Sequence, residues 1–556
     1  MPVSLSPAAE HRRLRRWAPW IAAAVACAVF LNALANGYAF DDVTVVAQNP
    51  LVHGLAHWRD IWVSDYWPNL PYQVGLYRPL TIALYAVEWT LWHGNALGFH
   101  LANVLLHGVV SALVVLLLFR LGASLPAAMA GGVVFAIDPL HVEVVAGVVG
   151  AAELLMTLLV LLACLLHLRR NGSRLTRWVG VSACFLAALL VKESAVALPL
   201  LLIVVDGLDP RREAPLRRVV WDDAPLYLLM AAVFGGYLGL RFAVLGVFAG
   251  STVAPALQGL TASRRVATAI SIWPDYLRLL AYPRDLSASY DPNVRVAAGW
   301  TSRRVWFGLA LGVAAVWTAV KARRRVPWWT AAVAWFAASM FVVSNLIVPV
   351  GVVLAERTLY LPSVGLALAV VPLADLIRPH RRLVAVAAVV AALAVVRTWT
   401  RTPVWRSTHT LLAQLAATHP ESFVAQSYLG DQALGAGNPK LAVQHYAVAW
   451  GVMHDPHIGT RYAYALTRLK DWALAEQVAR TACKPMVPQP CLYLIDALLA
   501  EGRPSEARAA LDSLAERAPP SPAIAERAAA VARAMADSAA RQTVERTRGG
   551  TPAVRH

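Results

Sequence analysis

Charge is scarce in this chain. Only 15% of its 556 residues are Asp, Glu, Lys or Arg, while 58% are hydrophobic and the mean hydropathy is +0.53. That composition excludes an ordinary soluble globular protein and reads as polytopic membrane protein. Acid is scarcer than base, 33 residues against 50, which leaves a net charge of +17. A nucleic-acid partner would require the excess on one continuous face or basic helix. Here it is scattered through short loops between apolar runs, the positive-inside pattern, so no nucleic-acid partner is expected. Cysteine is rare too, at five, and no zinc spacing is present. Cys27, Cys164 and Cys184 fall in apolar runs and read as membrane core. Cys483 and Cys491 fall in a C-terminal soluble region and can pair only if that region lies outside the cytoplasm. The paired broken helices and inverted repeats of a transporter are also missing.

What is present is a succession of apolar runs. Residues 1–16 form a basic cytoplasmic N-terminus ending in Arg15 and Arg16, and 17–35 is the first span. A cleavable signal peptide is the competing reading, because Ala33-Leu34-Ala35 resembles a cleavage site. Residues 37–97 make a large first external loop with Trp58, Trp62, Trp67, Trp89 and Trp92, suited to the headgroup level. Further runs cover 99–118, 126–137, 151–166, 178–190, 194–205, 224–240, 305–320, 328–350, 359–376 and 383–396. Arginines such as Arg120, Arg169, Arg170, Arg211, Arg325 and Arg378 mark the cytoplasmic returns. The expectation is about eleven spans within residues 17–400, N-terminus inside and C-terminus outside. Residues 270–282, interrupted by Pro274, Asp275 and Arg278, read as interfacial or re-entrant.

From residue 406 the chain turns Ala-rich and helical. Leu429-Gly430 followed by Ala442, Tyr446 and Ala449 fits a tetratricopeptide repeat, echoed at Ala475, Ala479 and Ala482 and again at Ala507, Leu511 and Leu514. Residues 406–518 are therefore expected to stack as an α-solenoid that can dock a protein partner. Residues 519–556 read as an Ala/Arg-rich helix fading into a disordered tail. The fold class is all-α: a polytopic membrane domain followed by a tetratricopeptide solenoid.

The polar residues that interrupt the apolar runs gather on the outer side of this topology. They are Asp41 and Asp42, Arg78, Asp138, His141 and Glu143, Glu153, Lys192 and Glu193, and Glu356 and Arg357. Each has a plain structural explanation: a solvated helix end, a turn or a local ion pair. Polar clusters from separate elements meeting at one face point instead to a site, since ionisable groups at membrane depth are costly. A carboxylate at an aromatic lip can act as general base toward a hydroxyl or amide. Nearby cations can hold a phosphate leaving group and neutralise its charge. That combination suits sugar transfer from a polyprenyl-phosphate donor.

Several ordered motifs then carry a resemblance: Phe40-Asp41-Asp42, Tyr77-Arg78-Pro79-Leu80, the run from Gly98 to His107 (Gly-Phe-His-Leu-Ala-Asn-Val-Leu-Leu-His), Pro139-Leu140-His141-Val142-Glu143, Glu153-Leu154-Leu155, Lys192-Glu193, and the run from Ala355 to Ser363. Over residues 30–365 the chain resembles the transmembrane and tetratricopeptide-repeat (TMTC-like) protein O-mannosyltransferases. The resemblance implies a GT-C glycosyltransferase fold, a polyprenyl-phosphate sugar donor and a base at the acidic pair. By position, Asp41 or Asp42 would be that base, Asp41 preferred. Arg78, His141, Lys192 and Arg357 would bind the donor phosphate, with Glu143, Glu193 and Glu356 orienting those cations. Asp138 stands where His is usual before the proline. The acceptor would be a protein, lipid or glycan beside the membrane lipid. No cofactor is expected beyond an optional divalent cation, for which no tight ligand spacing is present. The high Ala, Val and Arg content suits a bacterial inner membrane with site and repeats in the periplasm. The competing functions are a non-catalytic membrane scaffold presenting the repeats, and a transporter of a lipid-linked sugar.

Overall fold

The computed structural model describes residues 7–68, 74–169, 171–248, 250, 253–290, 292–377, 379–484 and 487–548. Residues 1–6, 69–73, 170, 249, 251–252, 291, 378, 485–486 and 549–556 lie outside the described residues. Regular structure among those described is helical, apart from one isolated bridge between Lys484 and Val487. The chain divides into a membrane unit, Met1–Tyr290 with Arg295–Gln414, and a C-terminal unit, Asp291–Val294 with Leu415–His556.

Six helices among the described residues are long and apolar enough to cross a membrane: Ala96–Arg120, Val148–His167, Arg174–Val191, Ala224–Leu245, Arg303–Ala322 and Arg381–Arg406. A seventh is counted if Leu125–Ile137 and Pro139–Ala146, bent by 43°, form one span. The chain is an integral membrane protein with fewer full-length spans than the eleven apolar runs suggested. Several runs form shorter helices, among them Leu198–Leu208, Pro327–Val343 and Val364–Ile377. Leu198–Leu208 starts with Pro199 in its first turn, Pro327–Val343 ends at Ser344 before the left-handed Asn345, and Val364–Ile377 begins only after the Glu356–Ser363 turn. The stretch 270–282 falls in two short helices, Ala262–Ser271 and Trp273–Ala281, broken at Ile272. Neither is a candidate span.

The membrane unit has two polar ends. At one, Arg177 pairs with Asp223 at 2.7 Å, His167 Nε2 meets Asp206 at 3.0 Å, Arg211 donates to the Leu168 carbonyl at 2.9 Å, and Ser124 donates to Asp375 at 2.8 Å. This end also carries the arginines at the helix termini, Arg120, Arg174 and Arg381. At the other end, Thr81 donates to the Val191 carbonyl at 2.8 Å, Asn103 to the Gly147 carbonyl at 2.8 Å, and Thr398 to the Ile137 carbonyl at 2.9 Å. Buried side chains thus bind orphan helix-end carbonyls, as backbone polar groups in lipid require. The candidate site lies at this second end.

In the C-terminal unit, consecutive helices pack as antiparallel pairs. These are Phe423–Gly435 with Pro439–Val452, Pro456–Leu469 with Trp472–Ala482, and Pro488–Ala500 with Pro504–Ala515. Ala442, Tyr446 and Ala449 are buried in the first pair, where a Cβ on Gly430 would fall 2.5 Å from the Tyr446 ring. Only glycine allows that approach. Cys483 and Cys491 form a disulfide, and the last helix, Pro522–Arg548, stays helical past Arg541.

Candidate functional site

The acidic pair sits on a turn that splits the two carboxylates. After the short turn Leu31–Ala35 the chain reaches Phe40, whose φ of 54° is left-handed, a conformation that costs a non-glycine residue on the order of 1 kcal/mol. Asp42 then turns inward and is fully buried. Its Oδ1 accepts from the Val149 N–H at 2.8 Å and its Oδ2 from the Ala39 N–H at 3.1 Å. Burial pushes its pKa up to about 7, against the pull of those N–H donors. Asp41 stays half-buried, and its side chain accepts no hydrogen bond among the described residues. Burial raises its pKa, the Arg357 charge opposes this in part, and Glu143 adds to it. The two neighbours therefore differ: Asp42 braces the loop, and Asp41 keeps a free carboxylate.

Three ion pairs join separate segments at this end of the unit, and the Arg357–Glu143 pair acts on Asp41. Arg78 grips Glu193 through two bonds, Nε to Oε2 at 2.9 Å and a terminal nitrogen to Oε1 at 2.6 Å. Its guanidinium also lies over the Tyr66 ring, 5.0 Å from the centroid. Lys192 pairs with Glu153. Arg357 donates to Glu143 from its backbone N–H at 2.9 Å and its guanidinium at 2.6 Å. Burial works against each charge, but Glu193 holds the Arg78 pKa above its usual value and Glu143 does so for Arg357. Burial would raise the Glu193 pKa; Arg78 more than reverses this and holds it down at about 2. Lys192 is left lowered by burial despite Glu153. The Glu153 carboxylate acts electrostatically on both Arg78 and Arg357, and Asp41 acts on Arg357, so the pairs form one cluster. Asp41 and Arg357, 316 residues apart in sequence, lie in the same electrostatic field.

His141 and Glu356 stand apart from the three cations. His141 is fully buried; its Nε2 meets the Ser363 hydroxyl at 2.9 Å, and its ring packs against Phe135 at 4.6 Å and Tyr360 at 4.5 Å. It is enclosed by aromatic rings, whereas Arg78, Lys192 and Arg357 keep some exposure. Glu356 turns away from Arg357: its Oε1 accepts from the Tyr290 hydroxyl at 2.8 Å and from the Ser287 N–H. Burial raises its pKa, and the Arg401 charge opposes this in part. Asp138 caps the following turn by accepting from the Leu140 N–H at 3.0 Å.

Sequence reading passed over Tyr290, Ser287 and Arg401. Tyr290 and Ser287 lie in a polar loop with no motif, and Arg401 looks like one more basic flank after an apolar run. Only the fold brings them to Glu356. Among the described residues no group of three His, Cys, Asp or Glu side chains is placed to hold a metal ion. Each site carboxylate except Asp41 already accepts from a neighbour. Chemically, the arrangement offers one unpartnered carboxylate beside a row of fixed positive groups.

Comparison with known proteins finds relatives across much of the chain. It is 30% identical over 317 residues to the protein O-mannosyl-transferase Tmtc2 of Drosophila melanogaster, covering 52% of this chain and 33% of the relative. It is 26% identical over 353 residues to the protein O-mannosyl-transferase F38B6.6 of Caenorhabditis elegans, covering 61% of this chain and 48% of the relative. Against the human protein O-mannosyl-transferase TMTC4 it is 26% identical over 494 residues, covering 77% of this chain and 66% of the relative. The chain thus spans between a third and two thirds of the length of these relatives. No family model matches, and no solved structure matches.

Proposed function

From its similarity to the TMTC protein O-mannosyl-transferases, we propose that this chain is a membrane glycosyltransferase. It moves a sugar, mannose by analogy with those O-mannosyl-transferases, from a polyprenyl-phosphate donor to a hydroxyl of an extracytoplasmic protein. The observation that carries this reading is the free Asp41 carboxylate beside Arg357, within a cluster whose other acids are all engaged. Asp41 takes the proton from the acceptor hydroxyl as its oxygen forms a bond to the anomeric carbon. The bond from that carbon to the phosphate oxygen breaks, and the electron pair leaves with the polyprenyl phosphate. The raised pKa of Asp41 makes it a stronger base than an ordinary carboxylate once deprotonated.

Topology and setting follow as part of the proposal. The helix ends rich in arginine face the cytoplasm, and the Asp41 end faces the opposite side. Eleven crossings are reached if the shorter apolar helices also traverse the bilayer, a GT-C-like arrangement. The helix pairs after residue 415 are read as tetratricopeptide repeats that engage the acceptor protein. A disulfide at Cys483–Cys491 supports an oxidising, extracytoplasmic compartment for them. The Ala-, Val- and Arg-rich composition favours a bacterial inner membrane, with that compartment the periplasm.

The test is a transfer assay with purified full-length protein in nanodiscs, given a polyprenyl-phosphate mannose and an acceptor peptide. Wild type should transfer, and Asp41→Asn should lose roughly 10²–10⁴-fold in rate with unchanged melting temperature. Full activity in Asp41→Asn would remove this base. Sugar flux across proteoliposomes without glycan formation would favour a transporter instead.

A further inference from the structure

A second polar group beside the cluster takes no part in the reaction as drawn. Arg401 closes the helix Arg381–Arg401 and is only 3% exposed. A guanidinium carries five N–H donors, and burying its charge without acceptors is costly. Yet the Arg401 side chain donates no hydrogen bond among the described residues, and its Nε is a buried donor with no acceptor. Its electrostatic partner Glu356 is also incomplete. Oε1 is held by Tyr290 and Ser287, while Oε2 is buried with no partner. The two side chains influence each other without forming an ion pair.

The element bearing Arg401 is fastened directly to the segment bearing Asp41. Asn32 donates to the Trp399 carbonyl at 2.8 Å, and Asn36 to the Thr402 carbonyl at 3.1 Å. The Gly37 N–H donates to the Arg406 carbonyl at 2.9 Å, and the Phe40 N–H to the Thr408 hydroxyl at 2.9 Å. Glu143 completes the link, since it acts on both Asp41 and Glu356. The other cations differ in kind. Arg78, Lys192 and Arg357 are each already matched by a carboxylate, so an anion approaching them must compete with a fixed partner. Arg401 has no such competitor within bonding distance.

We infer that Arg401 holds the phosphate of the polyprenyl-phosphate sugar, while Glu356 Oε2 accepts from a hydroxyl of the same sugar. One molecule carrying an anion and a neighbouring hydroxyl satisfies both groups at once, which a bare polyprenol, lacking the anion, does not. This assignment rests on the transfer reading above, but it concerns where the donor binds and is tested by binding alone.

The experiment measures binding of a tail-labelled polyprenyl phosphate to full-length protein in nanodiscs, with polyprenol of equal length and inorganic phosphate as competitors. Wild type should prefer the phosphate over the alcohol by about tenfold or more, as a charge-assisted bond implies. Arg401→Gln should erase that preference, and Asp41→Asn should keep it. Unchanged preference in Arg401→Gln overturns the inference, as does equal competition by inorganic phosphate. Should Arg401→Gln fail to fold, wild type carrying a photoreactive polyprenyl phosphate decides. Cross-links must map to residues 397–406 or 284–290, and cross-links confined elsewhere overturn it. Retained phosphate preference with retained activity in Asp41→Asn would remove the base and leave the phosphate site standing.

Discussion

Arg357 is held to Glu143 at two points, through its backbone N–H at 2.9 Å and its guanidinium at 2.6 Å. The two residues are 214 positions apart, and the double bond pins the turn Glu356–Leu359 to the short helix Val142–Ala146. Glu143 is nearly inaccessible while the Arg357 side chain keeps 29% of its exposure. Glu143→Ala therefore strands a partly solvated arginine. Breaking a fully buried pair costs roughly 3–5 kcal/mol, and discounting for that exposure leaves about 2 kcal/mol. Thermal unfolding of the detergent-solubilised protein should show this loss. The double variant Glu143→Gln with Arg357→Gln should recover part of it; an unaltered melting curve for Glu143→Ala would show that the turn is held by other contacts.

Asp41 and Asp42 should separate cleanly when mutated. Asp42→Ala removes the acceptor for two backbone N–H groups, of Val149 and Ala39, and leaves both donors buried. That should cost about 2 kcal/mol of stability, with activity falling as the folded fraction falls. Asp41→Asn breaks no hydrogen bond, so its melting temperature should match wild type while transfer is lost. Activity per folded molecule, measured beside thermal stability, checks both. If Asp42→Ala were stable and inactive while Asp41→Asn stayed active, the roles of the two carboxylates would be exchanged.

The all-helical character and the membrane setting were legible in composition and apolar runs, because burying backbone in lipid leaves few other options. The sequence also suggested that Asp41, Arg78, Glu143, Lys192, Glu193 and Arg357 share one face; in the fold Arg78 pairs with Glu193, Arg357 with Glu143, and both Arg357 and Glu143 act on Asp41. Pairing was only partly legible. Adjacency in sequence suggested a local ion pair between Glu356 and Arg357, while Lys192-Glu193 read as a solvated turn. In the fold Arg357 takes Glu143, Lys192 takes Glu153 and Arg78 takes Glu193. Neighbours on a tight turn point apart, and the chosen partner lies 39 to 214 residues away, set by packing. Span lengths were also illegible, because an apolar run does not report where a proline or a turn ends its helix. His141, expected among the phosphate-binding groups, is enclosed by Phe135 and Tyr360, contacts no local pattern encodes.

The buried Asp42 carboxyl gives stability a definite pH sign. Its pKa rises from 3.8 when unfolded to about 7 when folded, so the folded state binds its proton more tightly. The contribution to stability is full below about pH 4 and is lost as pH climbs toward about 7. Chemical unfolding at several pH values should show stability falling across that window, and Asp42→Asn should flatten the slope. A slope of the opposite sign in wild type, surviving in Asp42→Asn, would mean that other carboxylates govern the acid range.

In the C-terminal unit, Cys483 and Cys491 close a loop of eight residues. Removing the crosslink restores chain entropy to the unfolded state, worth about 2.5 kcal/mol for a loop of that length. Reduction, or Cys483→Ser, should lower the unfolding midpoint of this unit by roughly 5–10 °C, and reductant should have no further effect on the variant. The same pair reports location, because thiols in the cytoplasm are kept reduced. A thiol-reactive maleimide added to intact cells should leave Cys483 and Cys491 unlabelled until a reductant is supplied. Labelling by a membrane-permeant maleimide alone, without reductant, would place the unit on the cytoplasmic side and reverse the orientation proposed for the Asp41 cluster.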